Sequence, residues 1–350
     1  MRSLARRAFG AGLLALAAGC GSLGYYAQAV HGHFALTGAA RPLEQWLADP
    51  STPQALREQL ELARSLRAFA TRELPLPDNA SYTRYAELGR PYAVWNVFAA
   101  AEFSVEARRE CFVFAGCVGY RGFFAQEDAL AHAARLRREH YDVFVGGVPA
   151  YSTLGWFDDP LLSSFIGYPE TELARLLFHE LAHQVAYAKD DTTFNESFAV
   201  ALEEEGVRRW LAATGRGAEL AAFRRAQERR GELAELIEEA RVRLATLYAR
   251  PMAPQAMREA KRAEFERLNE RYAALRTAWG GFAGYDRLFA EPPNNALLVS
   301  ISTYTQLVPS FRRLLEQAKG ELPEFYARVR SLAGEPREQR RAALEALAMR

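Results

Sequence analysis

Apolar residues recur at helical spacing over long stretches of this chain, and short aromatic and β-branched runs lie between them. Residues from about 25 to 75 are predicted to be helical, because they carry an apolar stripe formed by Leu56, Leu60, Leu62 and Leu66. Aromatic and β-branched composition predicts strands at 92–98, 110–120, 141–147 and 148–156, and a short helix is predicted at 126–139.

The second half of the chain carries longer helical patterns. A helix opening near Pro169 has one apolar face, formed by Leu173, Leu176, Leu177 and Leu181, and a partner helix is predicted from about 194 to 214. Residues 218–278 predict two charged helices interrupted by prolines, that is, a helical hairpin. Apolar sequence returns at 299–308, before a final helix. The pattern therefore predicts an α+β fold that is mostly helical, with a small mixed or antiparallel sheet.

The helix after Pro169 carries the clearest chemical motif. His179, Glu180 and His183 form an H-E-x-x-H pattern, and spacing i, i+4 places both imidazoles on one helix face. A catalytic zinc ion takes three protein ligands and keeps one position open for water. The motif therefore predicts one zinc ion bound by His179 and His183, with Glu180 as the general base that takes the water proton.

The third ligand has two candidates on the partner helix, Glu196 and Glu203. Twelve residues separate His183 from Glu196, and nineteen, a spacing found in thermolysin-like enzymes, separate it from Glu203. The segment around Glu196 resembles the N-E-x-x-A signature of glutamate-zincin peptidases, which favours Glu196. Glu196 could instead close a capping box with Thr193, and Glu203 could orient a ligand histidine from behind.

Other segments are weaker candidates for catalysis. Residues 151–157 are predicted to form an edge strand, which zinc peptidases use to bind the substrate backbone; an ordinary sheet strand is the alternative. Tyr304 could stabilise an oxyanion with its phenol, or could be a core tyrosine. Three further side chains are candidates with less support: Tyr187, Tyr285 and Arg121.

The N-terminal residues indicate export and lipid attachment. Three arginines precede a short apolar core at 8–18, which ends in small residues before Cys20 and resembles a bacterial lipobox. We expect residues 1–19 to be a signal peptide and Cys20 to be lipidated. Gly21 rather than Asp follows the cysteine, which by resemblance to enterobacterial lipoproteins favours the periplasmic face of the outer membrane. A plain secretory signal is the alternative. The formal net charge of +1 falls to about −2 without those arginines.

The remaining cysteines, Cys111 and Cys117, are close in sequence, so an oxidising compartment favours a disulfide between them. Metal ligation by this pair would need further soft ligands nearby. Residues 20–350 are predicted to form a single domain, with 218–278 as a hairpin within it. No basic patch with interleaved aromatics stands out, so nucleic acid is not an expected partner.

These motifs together resemble those of a known family, the predicted zinc aminopeptidase lipoproteins of Gram-negative bacteria. The resemblance covers nearly the whole chain and rests on five segments: 111–122, 152–160, 179–183, 194–199 and 302–305. It implies a zincin-like core and a lipid-anchored zinc metallopeptidase that removes N-terminal residues from peptides or proteins. Because no G-A-M-E-N type segment is present, an envelope endopeptidase stays open as an alternative. A non-catalytic zinc lipoprotein acting in envelope assembly is a second alternative. An acidic side chain near the metal would favour the aminopeptidase.

Overall fold

The computed structural model describes Gln28, Gly32 and residues 36–112, 116–150 and 152–348. The helices are α1 (Leu43–Ala48), α2 (Gln54–Glu73), α3 (Gln126–Arg138), α4 (Glu170–Ala182), α5 (Thr192–Ala213), α6 (Gly217–Tyr248), α7 (Pro254–Ala278), α8 (Asn295–Thr305), α9 (Val308–Gln317), α10 (Leu322–Gly334) and α11 (Arg337–Ala348). The strands are β1 (Arg41–Pro42), β2 (Arg84–Ala86), β3 (Val94–Ala101), β4 (Glu110–Phe112), β5 (Gly116–Val118), β6 (Tyr120–Phe123), β7 (Tyr141–Val148) and β8 (Leu161–Leu162). The prediction of a mostly helical α+β protein with small sheets is confirmed.

The strands form three small sheets. One is antiparallel in the order β6-β3-β7, and a second is mixed, because β2 pairs antiparallel with β1 and parallel with β8. The predicted strand at 110–120 is instead broken into short strands, of which β4 and β5 pair with each other. Cys111 lies opposite Cys117 in that pair, and the predicted disulfide joins them.

The predicted edge strand at 151–157 is wrong for the described residues 152–157, which form turns and bends. Thr153 and Asp159 close these turns: the Thr153 amide donates to Asp159 Oδ2 at 2.8 Å, and the Phe157 amide donates to Thr153 Oγ1 at 3.0 Å. Side-chain oxygens of this kind compete with sheet pairing. The preceding strand β7 ends at Val148, because Pro149 has no amide hydrogen to donate.

Helices α4 and α5 pack against each other at the centre of the largest hydrophobic core. Gly206 of α5 permits this close approach. A Cβ atom there would lie 2.7 Å from Phe178 Cδ2 and 2.9 Å from Leu74 Cδ1. The apolar face predicted for α4 is buried, as Leu173 and Leu177 show. The helix pair is therefore tightly packed at Gly206.

The predicted helical hairpin is confirmed as α6 and α7, which pack on each other around a second core that contains Ile237 and Leu268. The segment from 25 to 75 contains separate helices in its described part, because Pro53 stands before α2. The predicted final helix is instead three helices, α9, α10 and α11. Positive φ angles at Lys319 (53°) and Gly320 (78°) reverse the chain after α9, and Pro336 precedes α11. None of the described helices is long and apolar enough to cross a membrane.

Candidate metal centre

The H-E-x-x-H side chains lie at the buried C-terminal end of α4. His179 and Glu180 are in its last turn, and His183 is the residue that caps it. All three are buried, with at most 9% of their surface exposed. The two imidazole rings meet edge to face, with centroids 4.8 Å apart. The i, i+4 spacing thus produces the shared face that the sequence predicted.

A short turn returns the chain to α5 and places Glu196 against both histidines. Asn195 fixes this turn, since its side chain accepts from the Ala188 amide at 2.7 Å and donates to the Ala188 carbonyl at 3.0 Å. Asp191 caps α5 by accepting from the Phe194 amide at 3.2 Å. The capping box with Thr193 is therefore not used at this helix end, and the Glu196 carboxylate points to the histidines.

Arg340 of α11 holds the cap in place. It forms a buried salt bridge with Asp191 at 3.0 Å, and it also donates to the carbonyls of Ala333 and Glu335. A buried arginine keeps its charge only if several acceptors replace water, and here three do so. The C-terminal helix therefore helps to set the position at which α5 begins, one turn before Glu196.

Three potential ligand atoms converge at the centre of this site. His179 Nε2 lies 3.2 Å from His183 Nε2 and 3.2 Å from Glu196 Oε2, which is 3.6 Å from His183 Nε2. A tetrahedral zinc ion with bonds of about 2.0–2.1 Å holds its ligand atoms about 3.3 Å apart. The triangle could therefore hold a metal ion, and its size and donor set are compatible with zinc.

Glu203 contacts His179 on the side of the ring that faces away from this triangle. Its Oε2 accepts from His179 Nδ1 at 2.8 Å, and its Oε1 accepts from Arg175 at 2.9 Å. A proton on Nδ1 leaves the Nε2 lone pair free to face the centre of the triangle. Burial alone would raise the pKa of Glu203. The positive charges of Arg175 and His179 outweigh burial and bring the pKa below its ordinary value, so the carboxylate stays ionised.

Three carboxylates lie close to the histidines of this site, and burial and charge shift the pKa values of several of these groups. Burial lowers the pKa of His179, but hydrogen bonds to Glu196 and Glu203 raise it to about 10 on balance. Burial raises the pKa of Glu196, yet the two histidines bring it down to about 2. Burial raises the pKa of Glu180 as well. The two histidines lower this pKa, the carboxylates of Glu196 and Glu203 raise it, and the net direction is upward. Glu180 is thus the carboxyl of this group best suited to accept a proton.

Tyr304 of α8 lies beside the metal triangle, with its ring centroid 6.4 Å from that of His179. Burial, together with the negative charge of Glu196, raises its pKa well above the usual value for tyrosine. The phenol therefore stays protonated and can donate a hydrogen bond. Ser197 helps to position this part of the chain, because its Oγ accepts from the Leu307 amide just after α8.

The three weaker candidates lie in different places. Burial raises the pKa of Tyr187, and the charge of Glu196, which lies close to it, raises that pKa further. Tyr285 packs against Trp279 in the aromatic cluster at the end of the hairpin. Arg121 pairs with Glu110 at 3.6 Å on the sheet. Tyr187 thus lies near the metal triangle, as Tyr304 does.

Two groups near the site carried no clear signal in the sequence. Arg175 stands four residues before His179, and this spacing alone could have indicated a shared helix face. Asp159 is buried and close enough to Glu180 for that charge to raise its pKa. Burial is the larger cause, and the pKa reaches about 6. Nothing in the spacing of residues 159 and 180 predicts this proximity, which depends on how the loop before α4 folds back.

Comparison with known proteins identifies a family for this chain. No curated protein and no solved structure matches the chain. The model of the family Aminopep, described as "Putative aminopeptidase", matches residues 24–344, which include every residue of the metal triangle. Because this match spans most of the sequence, the chain belongs to the aminopeptidase family Aminopep.

Proposed function

We propose that this aminopeptidase-family protein is a zinc-dependent metallopeptidase with a zincin-type core. The carrying observation is the triangle of His179, His183 and Glu196, whose ligand atoms are 3.2–3.6 Å apart at the end of a buried helix pair. The donor set of two imidazoles and one carboxylate is that of catalytic zinc sites with an open fourth position. The family match supports peptide bonds as the target.

Zinc bound at this triangle would supply Lewis-acid activation of water and of the scissile carbonyl. Glu180, next to His179 in the same helix turn, takes the proton from the attacking water and delivers it to the leaving amine. Burial raises the pKa of this carboxyl, which favours uptake of the proton. Glu203 keeps His179 in the tautomer that presents Nε2.

Tyr304 would stabilise the oxygen that gains negative charge during the attack. Its ring lies alongside His179, and burial raises the pKa of its phenol well above the ordinary value, which favours the protonated form that donates a hydrogen bond. A hydrogen-bond donor already in place for the developing charge lowers the barrier without reorganisation. Glu180 and Tyr304 therefore take the acid–base and oxyanion roles.

Metal analysis and a Glu180 variant test the proposed function together. The purified protein should bind about one zinc ion per chain. Glu180→Gln should keep that ion and reduce turnover of a cleaved peptide by roughly 10²–10⁴-fold, the usual contribution of a positioned general base. Glu219→Gln is the matched control, because Glu219 is exposed at the start of α6. Full activity of Glu180→Gln would overturn the mechanism.

We also propose that the protein is attached to the cell envelope through lipid on Cys20, on the periplasmic face of the outer membrane. Cys20 lies outside the described residues, so the proposal is supported by the basic, apolar and small residues that precede it. Cys20→Ser should abolish incorporation of labelled fatty acid and move the protein to the soluble periplasmic fraction. Unchanged membrane association in that variant would contradict lipid attachment.

A further inference from the structure

A buried polar cluster beside α4 takes no part in the metal triangle. It contains Asp159, Tyr82 and Thr153. Asp159 is 1% exposed, and its Oδ2 accepts from the Thr153 amide at 2.8 Å. Its other oxygen, Oδ1, and the hydroxyl of the equally buried Tyr82 make no hydrogen bond of normal distance and angle to a described residue, although the Ser152 side chain lies close to both groups. Buried polar atoms are nearly always paired, so this oxygen calls for a partner.

Two packed loops hold Asp159 in place. The Tyr82 amide donates to the Asp159 carbonyl at 2.6 Å. The loop before Tyr82 is in turn held by Arg67 of α2, a buried arginine that donates to the carbonyls of Ser81, Pro77 and Asn79. This density of contacts fixes the backbone around Asp159, so its carboxylate is presented in a set orientation.

The same loops contact the end of the H-E-x-x-H motif. Gln184, which follows His183, accepts from Asn79 at 2.7 Å and donates to Ser81 at 3.2 Å. Gly155 lies against the Gln184 side chain, where a Cβ atom would be 3.2 Å from Cδ. The loop that carries Asp159 therefore packs directly on the residue after a metal-triangle histidine.

The charges around Asp159 indicate that it lacks a cationic partner. Glu180 adds negative charge to its surroundings, and within the described chain no lysine, arginine or histidine forms a salt bridge with Asp159. A buried carboxylate is costly without a cationic or hydrogen-bonding partner. An ammonium group has three donors and one positive charge, so it would satisfy both Oδ1 and the unbalanced charge.

We propose that Asp159 binds the free α-ammonium group of the substrate and so restricts this enzyme to peptides with an unblocked N terminus. The inference rests on the proposed peptidase function and adds a specificity-determining residue to it. With the ammonium group held at Asp159, the first peptide bond lies toward Glu180 and the metal triangle. The protein then removes residues from the N terminus and does not cut internal bonds.

The test uses three forms of one peptide: with a free amine, with an acetylated amine, and with the amine replaced by hydrogen. The peptide is the best-cleaved member of a set of free tripeptides. Wild-type protein should cleave the free form with a kcat/KM roughly 10- to 100-fold above the other two, since a charge-assisted hydrogen bond is lost in each. Asp159→Asn should lower kcat/KM for the free form by a similar factor, mainly through KM, and leave its zinc content unchanged.

Asp158→Asn is the matched control, because Asp158 is the exposed neighbour on the same loop, and it should retain wild-type preference. If Asp159→Asn keeps the wild-type ratio between free and blocked peptides, the inference is overturned while the peptidase function stands. If wild-type protein cleaves blocked and free forms equally, the inference is overturned even where the variant fails to fold. If no peptide is cleaved by zinc-loaded wild type, the proposed function fails, and the inference fails with it.

Discussion

Glu196 and Glu203 both contact His179, and their separate replacement distinguishes a metal ligand from a residue that positions one. Glu196 Oε2 is 3.2 Å from Nε2, on the side of the triangle, whereas Glu203 Oε2 is 2.8 Å from Nδ1, on the opposite side of the ring. Glu196→Ala removes one of three ligands, so the protein should be largely zinc-free when metal is limiting. Glu203→Ala leaves all three ligands in place but removes the hydrogen bond that orients the His179 ring.

The expected size of the Glu203 effect follows from its contacts. Loss of an outer partner of a ligand histidine typically costs about 10–100-fold in metal affinity, or about 1.4–2.7 kcal/mol. Folding stability should fall as well, because Arg175 loses a buried partner. Breaking a buried ion pair costs about 3–5 kcal/mol, and the lower end applies here, since the Arg175 side chain is 28% exposed and keeps Glu172 at 2.9 Å.

Competition with a chromophoric chelator would measure zinc affinity, and thermal unfolding followed by circular dichroism would measure stability. Glu203→Gln is the matched control, because its amide keeps one acceptor oxygen and should lose less affinity than Glu203→Ala. The Glu196 variant should keep its helix, because Asp191 and not Glu196 caps α5. If Glu203→Ala empties the site while Glu196→Ala stays loaded, the assignment of ligand and outer partner is reversed.

Two further substitutions and one calorimetric measurement test the rest of the site and the packing behind it. Tyr304→Phe should keep the metal and lower kcat by about 10²–10³-fold in steady-state kinetics, and an unchanged kcat would exclude its oxyanion role. Gly206→Ala should lower the free energy of unfolding in urea by about 1–3 kcal/mol, because the new Cβ would meet Phe178 at 2.7 Å; a more stable variant would show that packing there is loose. Because the pKa of His179 is about 10 without metal, this residue is protonated at neutral pH and must lose that proton to bind zinc. Calorimetry in buffers of different ionisation enthalpy should therefore show about one proton released per zinc at neutral pH, with affinity rising as the pH increases toward 10, and no release would contradict the raised pKa.

Local sequence was sufficient for features that depend on spacing along one element. The i, i+4 histidines share a face wherever a helix forms, and the apolar residues around them ensure that it does. The hairpin of α6 and α7 follows from long helical periodicity, from Pro251 between its arms and from Pro254 at the start of α7. The disulfide between Cys111 and Cys117 needs only a short turn between paired strands.

Features that depend on competing local signals were not decided by sequence. Thr193 and Glu196 have the spacing of a capping box, but Asp191 precedes them and is fixed by Arg340 from the other end of the chain. Residues 152–157 have strand-like composition, yet Thr153 bonds within its own loop. In both cases a side-chain hydrogen bond replaces the structure that local composition favours, and the sequence alone does not show which of the competing side chains makes it.

The sequence by itself therefore determined that His179 and His183 could serve as metal ligands on one helix face, because ligand type and helical spacing are local properties. Only the tertiary structure decided which carboxylate meets which nitrogen of His179, because Glu196 and Glu203 share one face of α5 and differ by two turns. It also decided that Asp159 and Tyr304 lie near that helix, since each comes from a separate element. Proximity between distant segments arises from the packing of the whole core, and no local pattern encodes it.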